Sequence, residues 1–374
     1  MKVAILFSGW NLRAIVAFCR FCKMRQIPFI VIARNNNDPI LLTHYKENVA
    51  FVRKDSILSL DLIRDVLQIV KAKGFGKPVL IPSTEYLNRF FLDNRTTIEG
   101  LGCVIPLCDN EMYSLISDKS SFEKLCVQYG IVTPKDHDDI SPDNIPCVIK
   151  PKTYSFGKGT IVAEKPKIIL SREDFAKLGQ VNKDIYYSQE FVGGDVYYLL
   201  YYFSKDSTFS VYSQKNYVQQ HDGLSIVAAE SSLFHKDPRV KQYTEMFLDI
   251  GFHGLVMVEI RDYEGDLYMI EANPRLWGPS QLVLDSGMDL FDRFAIDNGL
   301  LLNPARNAYK QGVKYSWFGG IVETSSLLKS LAYHNQYTAE NYLNNINVWL
   351  TNDVYKRDDT MQVFEKEFRI SETC

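Results

Sequence analysis

Residues 254–281 read GLVMVEIRDYEGDLYMIEANPRLWGPSQ. Leu255 to Ile260 and Leu267 to Ala272 are short β-prone runs, and the polar, Gly-containing piece Asp262-Tyr263-Glu264-Gly265-Asp266 between them is the turn of an antiparallel hairpin. Glu259 and Glu271 are then expected as cross-strand neighbours. Asn273, two residues beyond Glu271, points to the same face by strand alternation. Two carboxylates and an amide oxygen form an oxygen-only donor set, which suits Mg²⁺ rather than Zn²⁺. Arg275, two residues further on, would set a guanidinium fork beside the ion, where a phosphate or a developing anion could sit. A surface hairpin with solvated acids also fits this stretch, so the rest of the chain has to decide.

Composition narrows the field. The chain has 374 residues, enough for two or three domains with ordinary cores, and its net charge of -3 gives no electrostatic support to a nucleic-acid binder. No apolar run approaches the length of a membrane-spanning helix. Val3 to Phe7 is too short for a signal-peptide core and ends in Ser8-Gly9, as a first strand would, so a cytoplasmic protein is expected. The seven cysteines are odd in number and scattered, against a disulfide framework. Cys19 and Cys22 have the CxxC spacing but lie in a helical apolar pattern, which makes them core residues.

Upstream of the hairpin, the chain alternates strand and helix as far as about residue 107. Val3 to Phe7, Phe29 to Ala33, Val49 to Arg53 and Val79 to Pro82 read as strands. Leu12 to Lys23 and Ile57 to Lys71 carry helical spacing, and Ser83-Thr84-Glu85 starts a further helix. This order implies a parallel sheet covered by helices. The first strand runs into Ser8-Gly9-Trp10-Asn11 without a GxGxxG, so a dinucleotide site is not supported. The loop amides could hold a carboxylate or phosphate, and a structural turn explains them as well.

Further along, Ser120 and Glu123 have capping-box spacing before the helical pattern Phe122, Leu125, Cys126, Tyr129, leaving Lys119 at the helix entrance. Thr133 to Pro146 reads as a connecting loop. Cys147 to Pro151 is an apolar strand carrying Lys150, and a buried lysine needs an anionic partner. Tyr154 to Thr160 (YSFGKGT) is a short loop whose glycines allow backbone amides close to a phosphate, with Lys158 adding charge. It is not a Walker A loop, and a plain hairpin turn accounts for it equally. Tyr186 to Val192 and Tyr197 to Phe203 are two more strands around Gly193-Gly194-Asp195. Such strands can take a flat base edge, with Glu190 or Asp195 accepting from amino or hydroxyl groups.

Taken together these pieces resemble the ATP-grasp superfamily, and in detail its carbamoyl-phosphate-synthase-like branch and the predicted carboligases that include D-aspartate ligase. The matching residues are Asp118-Lys119, Val148-Ile149-Lys150-Pro151, the loop from Ser155 to Thr160, Gln189-Glu190-Phe191-Val192 with Gly193, Glu259, and Ile270 to Arg275, in the family's order. Leu276 to Leu282 (LWGPSQL) is similar to the carboligase branch. The resemblance implies an α/β and α+β chain: a parallel-sheet, Rossmann-like pre-ATP-grasp domain over residues 1–107, then a two-subdomain ATP-grasp fold over 108–305 with a lid subdomain at about 135–190. Residues 306–374 fall outside it and read as a C-terminal helical extension.

What the resemblance implies for the site is specific. Lys119 and Lys150 would contact ATP phosphates, and Ser155, Phe156, Gly157, Lys158, Gly159 and Thr160 would close over them. Gln189, Glu190, Phe191 and Val192 would form the hinge beside adenine, with Glu190 or Asp195 near the base or ribose. Glu259, Glu271 and Asn273 would hold one or two Mg²⁺ ions, for which Mn²⁺ can substitute. Arg275, Lys150 and Lys215 would act on the reacting groups. The implied activity is an ATP-dependent carboxylate-amine ligase that works through an acyl phosphate on small-molecule substrates, with no nucleic-acid or membrane partner and a homodimer as a further expectation. A kinase or carboxyphosphate-forming enzyme and a non-catalytic nucleotide-binding subunit are the rival readings. Trp317 to Gly320 are a candidate wall of the acceptor pocket, although an ordinary turn fits them better.

Overall fold

The computed structural model describes residues 2–54, 57–152, 155–157, 160–162, 166–179, 181–305 and 308–372, giving the backbone alone for 155–157, 160–162 and 370–372. Val3–Phe7 is wholly buried and central in a four-stranded parallel sheet ordered Val49–Val52, Phe29–Ala33, Val3–Phe7, Pro78–Leu80. Strands covered on both faces lose the polar alternation of a half-exposed strand, which is why this one reads as a continuous apolar run. Helix Leu12–Arg25 covers one face and buries Cys19 and Cys22 as core. Helix Leu60–Ala72 is capped by Ser59, whose hydroxyl accepts from the Leu62 amide.

The helix Lys119–Gln128 begins two residues earlier than the capping-box spacing predicts. Asp118 is the cap, its carboxylate accepting from the Ser121 amide at 3.0 Å, and Ser120 lies inside the first turn. A carboxylate at that position also complements the helix dipole, and it frees Glu123 for another partner. The next unit is an antiparallel four-stranded sheet ordered Asp136–His137, Tyr186–Glu190, Cys147–Pro151, Lys167–Ile169. The segment expected as a plain loop, Thr133 to Pro146, thus supplies its edge strand. Ser155–Gly157 and Thr160–Val162 pair as a short hairpin. Lys158 and Gly159 lie outside the described residues.

A large antiparallel sheet organises the remainder, in the order Asp266–Asn273, Gly254–Tyr263, Asp195–Phe203, Phe209–Gln219, Ile226–Ser232, Lys314–Ser316, with Ala332–Tyr333 joined to Phe209–Gln219. One face packs Leu199, Tyr201, Phe203, Val258 and Ile260 against helix Lys241–Asp249, where Tyr201, Phe203, Phe247 and Phe252 form an aromatic cluster. Two strands of this sheet come from the region after residue 306, which therefore belongs to the core. Helices Phe318–Ser326 and Met361–Glu372 pack on each other there. Asp359 latches the region to the N-terminal part, taking Arg20 at 2.7 Å and the Tyr45 hydroxyl at 2.6 Å.

Candidate active site

The expected hairpin has a tighter turn than its polar residues suggest. Glu264 and Gly265 both have positive φ (52° and 95°) and form a two-residue connection between Tyr263 and Asp266. Counted outward from that turn, Ile260 pairs with Met269, and an uninterrupted ladder would set Ile270 opposite Glu259. Instead the register shifts there and Glu259 pairs with Glu271. Ile270 is the additional residue of a β-bulge, and a shift by one residue decides which face a side chain takes. The bulge turns Glu271 and Asn273 to the face that carries Glu259.

These groups form one chain of contacts. Asn273 Nδ2 donates to Glu271 Oε1 at 2.9 Å, Arg275 Nη2 donates to Asn273 Oδ1 at 2.6 Å, and Lys119 Nζ lies 3.2 Å from Glu271 Oε2. Lys150, 6% exposed, donates to Gln189 Oε1 at 2.6 Å, while Gln189 Nε2 donates to Glu123 Oε2 at 2.8 Å and to the Pro134 carbonyl at 3.3 Å. Both amide ends of Gln189 are thus committed, and the residue expected at the hinge clamps the buried lysine.

The electrostatics are uneven. Burial, and then the neighbouring Glu271, push Glu259 up to about 7. Burial is the largest influence on Glu271 and acts to raise it, but the Lys119 ammonium, the Asn273 amide and the Arg275 guanidinium together outweigh it and hold that carboxyl well below the usual range. Lys150 is pulled down to about 8 by burial and by Lys119, against the opposing pull of Glu271, Glu123 and Glu259. Two lysines that disfavour each other's charge beside an acid pair that also repels itself are relieved together by a cation on the acids and an anion on the lysines.

For a divalent cation the donors fit. Glu259 and Glu271 face each other across the ladder with Asn273 beside them, and no group of three or more His, Cys, Asp or Glu suited to a metal occurs among the described residues. The set is two carboxylates and one amide, which suits a hard ion that keeps water or phosphate oxygens in its remaining positions. A cleft of about 940 Å³ opens from these groups. Its lining includes Lys119, Glu271, Asn273 and Arg275, the loop from Gly9 to Arg13 and residues of the C-terminal helices. Trp317 does stand in this wall, with the Arg13 guanidinium 3.7 Å from its ring centroid. Asn11 bonds the Ser83 and Leu276 carbonyls, so its side chain leaves the first amides of helix Leu12–Arg25 uncapped.

Two expected residues are not brought to the acids. Lys215 pairs across the sheet with Tyr197 and Glu230, while Glu259 pairs with Tyr198 and Tyr198 with Gln214. Alternation therefore sets Lys215 on the opposite face, with its ammonium 5.5 Å from the Tyr217 ring. Asp195 shares that face with Tyr197. Glu190 is engaged locally, its carboxylate accepting from the Lys135 amide at 3.0 Å. Phe191 and Val192 follow it at the join between the two antiparallel sheets, Val192 buried. Tyr198, Gln214 and Glu123 are neighbours of the site that motif reading passed over. Period-two alternation puts Tyr198 and Gln214 each on a face of its own strand, but which face meets Glu259 depends on long-range pairing.

Neither a protein-family model nor a curated sequence matches the chain, whereas solved structures do. The biotin carboxylase domain of Hydrogenobacter thermophilus 2-oxoglutarate carboxylase, solved with MgADP, ADP and bicarbonate, superposes with a TM-score of 0.59 at 14% identity, over 84% of this chain and 73% of that one. A Campylobacter jejuni biotin carboxylase in complex with a β,γ-ATP compound gives 0.58 at 13%, over 83% and 74%. Thermotoga maritima N5-carboxyaminoimidazole ribonucleotide synthetase gives 0.52 at 16%, over 84% and 79%. At these identities the likeness is one of fold: the chain has the ATP-grasp fold of mixed parallel and antiparallel sheets. No helix among the described residues is long and apolar enough to cross a membrane.

Proposed function

We propose that the protein is an ATP-dependent carboxylate-amine ligase that uses Mg²⁺, and that its particular branch is that of the D-aspartate-ligase-like carboligases. The observation that carries the reading is the bulge-set pairing of Glu259 with Glu271, with Asn273, Arg275 and Lys119 in contact around it and Lys150 within their field. The branch assignment rests on Leu276 to Leu282 alone. The division near residues 107 and 305, with a lid at about 135–190, is proposed with it.

In this function Glu259, Glu271 and Asn273 hold the Mg²⁺, which when bound neutralises phosphate charge. Lys119 and Lys150 take the phosphate oxygens, and Gln189 keeps the Lys150 ammonium aimed at them. Transfer of this kind needs placement and charge neutralisation rather than a strong base. A substrate carboxylate oxygen bonds to the γ-phosphorus as the bond to ADP breaks. The amine nitrogen then attacks the acyl carbon, phosphate leaves, and the amine gives up a proton. Arg275, which reaches the acids through Asn273, is the group assigned to stabilise the anion of the second step. The acyl phosphate must be shielded from water, a task proposed for the loop from Ser155 to Thr160.

Bicarbonate bound in the Hydrogenobacter domain supports carboxyphosphate formation as a second reading. Purified protein given Mg²⁺, ATP and panels of carboxylates and amines should release ADP and phosphate only when both partners are present. Turnover stimulated by bicarbonate alone favours the second reading, and no turnover with any panel rejects both.

A further inference from the structure

The residues after 306 bring to the cleft a carboxylate that the chemistry assigned above does not use. Glu367, on helix Met361–Glu372, lines the cleft together with Trp317 and Gly319. The Trp317 indole donates to its Oε1 at 3.2 Å, whereas Oε2 is buried and has no hydrogen-bond partner. Among the described residues Glu367 forms no ion pair. Arg13 acts on it through its charge, but the Arg13 guanidinium donates to the Ile226 carbonyl at 3.2 Å, the Tyr315 hydroxyl at 3.3 Å and Ser225 Oγ at 2.8 Å. Burial is the largest influence on the Glu367 carboxyl. Asp353 and Glu323 add to it, Trp317 and Arg13 oppose it, and the group is pushed up to about 7.

Helix Phe318–Ser326 begins beside this carboxylate but does not need it as a cap, because Asp353 already accepts from the Phe318 amide at 2.6 Å. Glycine at 319 leaves the carboxylate its room, since a Cβ there would overlap it. Glu323 lines the same cleft, accepts from Gln220 at 2.9 Å and pairs with no cation among the described residues. Lys366, next to Glu367 in sequence, is exposed. A separate orphan lies in the same lining: Trp277, 1% exposed, has an indole N–H without an acceptor. Donor and acceptor are thus both left open in one cleft, as a polar ligand would require.

A carboxylate oxygen withdrawn from water and short of a donor is unfavourable until a donor meets it. A hydroxyl would supply a hydrogen bond alone, whereas an ammonium supplies the bond and a charge that offsets Glu367, Glu323 and Asp353 together. We infer that Glu367 is an ammonium subsite, which takes a free primary amino group of one of the substrates at a place apart from the group that reacts. Its strongest charged neighbours are Asp353, Arg13 and Glu323 rather than the groups around Glu259 and Glu271, so an amine anchored there stays protonated and is not the nucleophile. The inference rests on the ligase reading for its purpose and deepens it, because one substrate must then carry an amino group that the reaction leaves untouched.

The test compares the full-length wild type with Glu367→Gln, which removes the charge and keeps the shape, and Gly319→Ala, which keeps the charge and displaces it. The probes are three pairs in which one member has an amino group and the other has none: pentylamine and pentanol, alanine and propionate, aspartate and succinate. Binding is measured by calorimetry without nucleotide, and ADP release with MgATP. In at least one pair the wild type should bind the amino member about tenfold more tightly, and both variants should lose that preference while binding the other member as the wild type does. Equal binding within every pair overturns the inference, as does a preference that survives in either variant. Equal loss for both members of a pair would make Glu367 structural and overturn it too. A preference lost in the variants, in a protein that releases ADP with no panel of carboxylates and amines, rejects the ligase reading and leaves the subsite standing. ADP release by Glu367→Gln with an unchanged KM for every amino-bearing substrate rejects the subsite alone.

Discussion

The two faces of the large sheet are built from the same strands and do opposite things. On one, Glu259, Glu271, Asn273 and Tyr198 gather charge and polar oxygen, the last three lining a cleft with Glu259 buried behind them. On the other, Leu199, Tyr201, Val258 and Ile260 build an aromatic and aliphatic core, with Lys215 and Glu230 toward its edge. Neighbouring residues along a single strand, Glu259 and Ile260, belong to different worlds. Register therefore decides the chemistry, and one bulged residue, Ile270, sets the register where it counts.

The sharpest way to break this contrast is Glu271→Gln, which leaves the fold and removes one charge from the acid pair. ATP-dependent product formation should fall about a thousandfold, measured as ADP release. Lys150→Met should cost about a hundredfold in kcat/KM for ATP, with the loss appearing in steady-state kinetics at constant Mg²⁺. Gln189→Leu removes the clamp and leaves the lysine, so KM for ATP should rise about tenfold with kcat less affected. Lys215→Ala lies at the far end of the series. On the opposite face it should change kcat/KM by no more than about twofold, and a loss comparable to that of Lys150→Met would mean the faces are wrongly assigned.

Acidity sharpens the same contrast. Glu259, raised to about 7, must be ionised to hold a cation, and Lys150, lowered to about 8, must be charged to hold phosphate. Activity should rise through about pH 7 and fall above about pH 8, and Mg²⁺ should raise the melting temperature more at pH 7.5 than at pH 6. The sign for stability without metal follows from the raised acid: the folded state holds the Glu259 proton between the ordinary value of 4.5 and about 7, so this group's contribution is lost as pH rises through that window. Glu259→Gln should flatten that part of the melting curve against pH.

Much of this arrangement was legible before any coordinates. The apolar runs Val3 to Phe7 and Phe29 to Ala33 with helices between them define a parallel sheet, and the stretch around Glu259 and Glu271 defines the hairpin, because local periodicity fixes both. What sequence reading missed depends on contacts between distant segments. Nothing local says that Gln189 would turn to Lys150 and Glu123, since three separate elements meet there. Lys215 was misplaced because an odd or even position on a strand has no meaning until its neighbour is known. The C-terminal region looked like an appended set of helices, for its strands Lys314–Ser316 and Ala332–Tyr333 are too short to carry a periodic signal.

The central claim is that Glu259 and Glu271 act as one cation-holding pair that serves a nucleotide. Calorimetric titration of ATP, with and without Mg²⁺, into wild type and into a Glu259→Gln, Glu271→Gln double variant tests it most directly. The account predicts wild-type affinity that depends strongly on Mg²⁺, and a double variant whose ATP binding no longer responds to the ion. Equal Mg²⁺ dependence in both proteins would contradict it.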